Sequence, residues 1–205
     1  MSRSRDIRVL GKTLELLAGD SQDLYVMFVD LCNSTRFKQA LLDAGLSDSI
    51  WLTRELVFLH LCAKQVKDSG GTVVKTLGDG IMATYDYSES AKDILHSCVE
   101  MVRAFDNLKT YKGKDKIEVK ISVDYGETIN GAVTGRNYDP LGLCVDRCAR
   151  LNSSAGPREI AFSNEFNEKL PEDKTTIHPL IKKVKRRQRD LKGIGNIPYY
   201  LIILS

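Results

Sequence analysis

The stretch VVKTLGDGIMATYD, residues 73–86, sets two short β-rich runs, Val73–Leu77 and Ile81–Tyr85, on either side of Gly78-Asp79-Gly80. Asp-Gly between such runs is a strong hairpin signal, because both residues tolerate positive φ. A hairpin makes an antiparallel sheet the starting point for the fold. Turn chemistry accounts for Asp79 without any function. It does not account for Lys75, which interrupts an otherwise apolar strand.

On the N-terminal side, DLYVMFVDL (residues 23–31) reads as a buried strand, and residues 5–18 as a short helix. Ser47 is placed to cap a long helix running to about residue 68, whose ELVFLHLC segment is apolar on more than one face. On the C-terminal side, Ala91, Ile94, Leu95, Cys98, Met101, Val102, Phe105 and Leu108 recur at helical spacing, so residues 89–108 form an amphipathic helix. IEVKISVDYG then alternates, with Ile117, Val119, Ile121 and Val123 on one face and Glu118, Lys120, Ser122 and Asp124 on the other. TINGAVTG reads as its hairpin partner, LGLCVDRCARLNSSAG as a helix ended by Gly156 and Pro157, and EIAFS and IPYYLIIL as late strands. This β-α-α-β-β-α-β-β order predicts an α+β sandwich with a ferredoxin-like core, its helices packed on one face of an antiparallel sheet.

A chain of 205 residues, 42% hydrophobic and 28% charged, suits one globular domain. The net charge of +3 gives no whole-molecule field that argues for nucleic acid or an acidic membrane. No apolar run approaches a signal-peptide core or a membrane span, so a cytoplasmic protein is expected. KKVKRRQR (residues 182–189) reads as a solvated edge rather than a nucleic-acid surface, since it lacks stacking aromatics. The five cysteines, with no C-x-x-C pair, read as small buried hydrophobes. The three histidines lack metal-ligand spacing, and no histidine chemistry is expected.

The chemistry gathers on acids. Asp30 lies inside the apolar VMFVDL run and Asp79 at the hairpin tip. A carboxylate in such a strand is costly to bury unless neutralised, and a divalent cation held by oxygen ligands does that. The plain structural alternative is a strand-end residue capping Ser34 or Thr35. NYDPLGLCVDRCAR adds Asp139 before a helix, with Asp146 and Arg150 one turn apart on it.

YVMFVDLCNST, GGTVVKTLGDGIMATYD, VDYGETINGAVTG, YDPLGLCVDRCARLNSSAGPREIAFS and LKGIGNIPYYLI occur in the order and approximate spacing of the class III nucleotidyl cyclase catalytic domain, which this chain resembles from residue 22 almost to its end. Residues 1–21 are then an N-terminal helical extension and 22–205 the catalytic domain. The resemblance implies that a ribose 3′-hydroxyl attacks the α-phosphorus of a nucleoside triphosphate, giving a 3′,5′-cyclic nucleotide and pyrophosphate. It implies that Asp30 and Asp79 hold two Mg²⁺ or Mn²⁺ ions, that the Leu31 carbonyl is a further ligand, and that the backbone at Phe28 lies close to the triphosphate. Arg150 matches the arginine that steadies phosphoryl charge, Lys192 a lysine that grips the terminal phosphates, and Lys120 is a further candidate for that role. Asp146 stands at the catalytic asparagine position, where an ionised carboxylate cannot donate a hydrogen bond. Sites in this family form between two catalytic domains, so the resemblance implies a head-to-tail homodimer.

Lys75 and Asp139 match the pair that reads the base. A lysine donor and an aspartate acceptor suit adenine, but they suit cytosine equally and uracil with exchanged partners. Asn33, Ser122, Asp124 and Asp146 depart from the adenylate and guanylate cyclase pattern. The chain also resembles the stand-alone pyrimidine cyclases of bacterial anti-phage (Pycsar) systems, which signal to a separate effector protein. UTP or CTP is therefore the expected substrate, with ATP the alternative and an inactive regulatory domain, Asp146 pairing off Arg150, the alternative of another class. Tyr138, Leu141 and Tyr85 are candidates for the bulk that would exclude a purine.

Overall fold

Strand β1 (Ala18–Leu31) divides the molecule by simple alternation. Tyr25, Met27, Val29 and Leu31 enter a large apolar core, while Val26 and Phe28 point to the opposite face and pack with Met82, Cys144 and Cys148. The computed structural model describes residues 18–106, 108–110, 115–131 and 138–205. After β1 come α1 (Ser34–Asp43), α2 (Ser49–Asp68), the hairpin β2 (Thr72–Thr76) and β3 (Gly80–Asp86), and α3 (Ala91–Asp106). Two short strands, β4 (Lys109–Thr110) and β5 (Asp115–Lys116), pair with each other, and β6 (Val119–Gly131) and β7 (Pro140–Leu141) follow. The chain ends with α4 (Leu143–Asn152), β8 (Glu159–Ser163), α5 (Asn164–Asn167), β9 (Ile181–Leu191) and β10 (Gly195–Leu204).

The main sheet runs β2-β3-β1-β6-β8-β10-β9, with β7 added to β6. Its pairings are antiparallel except β6 with β8, whose parallel register (Ile121 opposite Ile160) follows from the α4 crossover between them. Helices α2 and α3 cover one face with Phe58, Cys62, Val66, Ile94, Leu95, Cys98, Met101, Val102 and Phe105. The alternation predicted for β6 is the observed one: Val119, Ile121 and Val123 join this core.

Helix α4 packs on the opposite face, so the helices are not confined to one side as the sequence suggested. The expected hairpin at TINGAVTG is also corrected. Residues Thr128–Gly131 continue β6, because β1 runs back as far as Ala18 and gives them a partner, Gly131 opposite Ala18; residues 132–137 lie outside the described part. The N-terminal helix expected over residues 5–18 likewise lies outside it, except for Ala18, which opens β1, so the expected boundary at residue 21 falls inside a strand. Helix α2 begins at Ser49 after Asp48 rather than directly after Ser47, whose hydroxyl instead accepts from the Ser49 amide at 3.3 Å. KKVKRRQR lies within β9, the last strand in the sheet order. All five cysteines are free and buried. Among the described residues no helix is long and apolar enough to cross a membrane.

Candidate active site

The hairpin of residues 73–86 brings the two acids together. Asp30, near the end of β1, pairs in register with Gly80, and the Leu31 amide donates to the Asp79 carbonyl at 3.1 Å. Gly78 turns the chain at φ 67°, and the Leu77 amide closes the turn on the Gly80 carbonyl at 2.8 Å. Gly80 is needed for a different reason: a Cβ there would meet the Val29 carbonyl at 2.8 Å and the Asp30 Oδ1 at 3.3 Å. Asn33, where the family pattern has glycine, sits at φ 58° in the left-handed region, which asparagine tolerates better than most residues. It turns β1 into α1, whose first residue, Ser34, donates its hydroxyl to Asp79 Oδ2.

Lys120 lies opposite Asp30 on β6 and places Nζ 2.9 Å from Asp30 Oδ2. A half-buried carboxylate here is thus already answered by one cation. The donor set, two carboxylates and the backbone at Leu31 with no nitrogen or sulfur ligand, fits a hard divalent ion such as Mg²⁺ or Mn²⁺.

Lys75 and Asp139 meet directly, Nζ to Oδ1 at 2.6 Å. A β-bulge makes this possible. Val73 pairs with Ala83 but Lys75 with Met82, so the extra residue, Val74, keeps Lys75 on the α4 face of the sheet. Asp139 is held by its amide, which donates to Asn130 Oδ1 at 2.8 Å. Beside this pair the half-buried Tyr138 is tied to β3, its hydroxyl 2.8 Å from Thr84 Oγ1. Tyr85, expected near the base, is instead buried on the α2–α3 face with its hydroxyl 3.0 Å from Ser69 Oγ, because odd positions of β3 point to that core. Leu141 is exposed on β7.

Asp146 and Arg150 both stand exposed on α4, and among the described residues no hydrogen bond or ion pair joins their side chains. The inactive-domain alternative required such a pair. Lys192 is exposed in the turn between β9 and β10. Among the described residues none of the three forms a hydrogen bond or ion pair with Asp30, Asp79, Lys75 or Asp139. The Phe28 carbonyl accepts from Asn152 Nδ2 of α4 at 3.2 Å.

Two groupings escaped the sequence reading. One is Ser34 on Asp79. The other centres on Arg147, which grips the fully buried Asp124 with Nε (2.6 Å to Oδ2) and Nη2 (2.8 Å to Oδ1) and also reaches Glu165. Burial raises the Asp124 pKa against the pull of the guanidinium; burial alone would lower that of Arg147, but the two carboxylates raise it. The signal was available, since Asp124 ends the polar face of an alternating strand and needs a partner once α4 covers it. Elsewhere, His96, Glu100 and His178 bring possible ligand atoms within 4.8 Å of one another. The Leu180 amide donates to His178 Nδ1 (3.1 Å), so Nε2 carries the proton and donates to Glu100 Oε1 (2.7 Å). That nitrogen has no lone pair for an ion, and the cluster fastens the turn before β9 to α3.

The family model "Adenylate and Guanylate cyclase catalytic domain" matches residues 17–203, and the chain belongs to that family. An adenylate cyclase of Streptomyces coelicolor is 27% identical over 158 residues, spanning 75% of this chain and 37% of that protein. The germination-specific adenylate cyclase of Dictyostelium discoideum is 23% identical over 172 residues, 78% of this chain and 19% of that protein. The chain therefore spans well under half the length of these relatives. Among solved structures, the guanylyl cyclase Cya2 aligns with a TM-score of 0.75 at 20% identity, over 91% of this chain and 94% of that one. The guanylate cyclase domain of RhGC from Catenaria anguillulae, in complex with GTP, aligns with a TM-score of 0.71 at 18% identity, over 91% and 100%. At these identities the structural likeness establishes the fold.

Proposed function

We propose that this domain cyclises a pyrimidine nucleoside triphosphate, UTP or CTP, to its 3′,5′-cyclic nucleotide with release of pyrophosphate. The observation that carries the base assignment is the Lys75–Asp139 pair at 2.6 Å, flanked by a tyrosine pinned to β3. For cytosine, Lys75 donates to ring N3 and Asp139 accepts from the 4-amino group. For uracil, Lys75 donates to O4 and Asp139 accepts from N3–H. Adenine satisfies the same two groups, so it must be excluded by volume, and Tyr138 is positioned to fill the space of a second ring.

Asp30 and Asp79 hold the divalent ions, which when bound acidify the 3′-hydroxyl and offset the charge of the polyphosphate. Lys120 meanwhile holds the Asp30 carboxylate in place. Arg150 and Lys192, exposed and in no ion pair among the described residues, reach the phosphates of a site whose acids belong to a second copy. Mixing Asp79→Ala with Arg150→Ala should then restore about a quarter of wild-type activity, because some mixed dimers carry one intact site; an exchanging mixture that stays inactive rules the shared site out. The product would be a messenger read by a separate effector, as in the anti-phage systems the sequence resembles.

The direct test is incubation of the protein with Mn²⁺ and all four triphosphates at equal concentration. Cyclic UMP or cyclic CMP is the expected main product. Cyclic AMP alone would overturn the base assignment, and no cyclic nucleotide at all would overturn the activity.

A further inference from the structure

Positive charge on this molecule is concentrated on one strand edge. From Ile181 to Lys192 the chain carries Lys182, Lys183, Lys185, Arg186, Arg187, Arg189 and Lys192 against the single acid Asp190, a net +6. The whole chain is +3, so everything else sums to −3. Charges of either sign blunt a sheet edge against unwanted pairing. Seven of one sign do more, because they set up a local field.

Register divides these cations between the two faces. Lys185 pairs with Leu201, Arg187 with Tyr199 and Arg189 with Ile197, and those three residues pack with Leu151 of α4. Lys183, opposite Ile203, continues the same row. Four cations thus line the α4 face of β9 at about 7 Å intervals. Arg189 fixes the end of the row to α4, Nη1 donating to the Ser153 carbonyl (3.0 Å) and Ser154 Oγ (2.8 Å), one turn beyond Arg150. Lys183, Lys185 and Arg187 form no ion pair among the described residues.

We infer that this row is an electrostatic guide that captures the triphosphate of the incoming nucleotide and delivers it to Arg150 and Lys192. The inference rests on the triphosphate-cyclase reading, in which the substrate carries about four negative charges and the row ends beside the two cations proposed to hold its phosphates. Lys183, Lys185 and Arg187 act before chemistry and touch no reacting atom.

The test uses stopped-flow association of a fluorescent N-methylanthraniloyl nucleoside triphosphate with the full-length protein in Mn²⁺, alongside steady-state kinetics. At ~10 mM ionic strength, where the Debye length is about 30 Å, the triple variant Lys183→Gln/Lys185→Gln/Arg187→Gln should associate about tenfold more slowly. Its kcat should be unchanged, and at ~1 M salt, where the Debye length is about 3 Å, it should match wild type. Arg187→Gln alone should show a smaller deficit in the same direction, which keeps the test valid if the triple variant folds poorly. Equal association rates at low salt, or a deficit that persists at high salt, overturn the guide. Wild-type protein that binds the probe in a salt- and row-dependent way yet cyclises nothing would instead overturn the cyclase reading.

Discussion

The two faces of the central sheet are built from the same strands, but charge is gathered on only one of them. On the α2–α3 face, Met27, Val29, Ile81, Tyr85, Phe58 and Phe105 are each at most 1% exposed, and they exclude water. On the α4 face a smaller apolar patch, Val26, Phe28 and Met82 packed under Cys144 and Cys148 of the helix, is surrounded by Asp30, Lys75, Lys120, Asp124 and Asp139. Alternation along β1 assigns Val29 to one side and Asp30 to the other, one residue apart. The lesson is that this fold keeps the cost of placing charge away from the apolar area that stabilises it. A change on one face should therefore alter rate, and a change on the other should alter stability.

The largest effect should come from the acids. Asp30→Asn or Asp79→Asn should lower cyclisation by ~10³-fold or more, the scale on which one group that manages transition-state charge acts. Thermal melting should move little, since neither carboxylate fills the core. Near-wild-type turnover in either variant would remove them from the chemistry.

A paired measurement locates where the division breaks. Phe58→Ala, on the stabilising face, should cost about 3–5 kcal/mol in urea unfolding, while activity per folded molecule is preserved. Arg147→Met, on the chemical face, should also cost about 3–5 kcal/mol, because it strands the Asp124 carboxylate in a buried site. If Arg147→Met is no more destabilising than an exposed substitution, the network is not structural.

A smaller effect is expected at alkaline pH. Burial, with a contribution from Asp124, pushes the Cys144 thiol up from 9.0 to about 11, and Cys62 and Cys98 on the other face lie well above their usual value because they are buried. A raised folded-state pKa means that the unfolded chain loses the proton first. The stabilisation is thus complete below pH 9 and declines as pH rises from 9 towards 11. Denaturation midpoints measured across that window should fall, and Cys144→Ser should flatten part of the decline.

Much of this was legible in the sequence because it depends on period and order. The alternation in IEVKISVDYG and the helical spacing in α3 fixed which residues became core. Asp30 and Lys75 stand out because each breaks a local pattern, an acid in an apolar run and a lysine in a strand, whereas Asp79 and Asp139 suit ordinary turns and gain meaning only from the motifs around them. What stayed hidden depends on long-range register. No local signal says that β1 extends to Ala18 and carries β6 with it, or that α4 crosses to the opposite face. The bulge at Val74, which aims Lys75, and the Arg147–Asp124 clamp also exist only once strands and helix are assembled.

The claim at the centre is that the hairpin tip and the end of β1 form one metal-binding site. Calorimetric titration of Mn²⁺ into the protein, saturated with a 3′-deoxy pyrimidine triphosphate that cannot cyclise, tests it most directly. Wild-type protein should take up about two ions per nucleotide, as expected of a two-metal phosphoryl-transfer site, and Asp79→Asn should bind fewer while melting at an unchanged temperature. Equal uptake by both proteins would contradict the shared site.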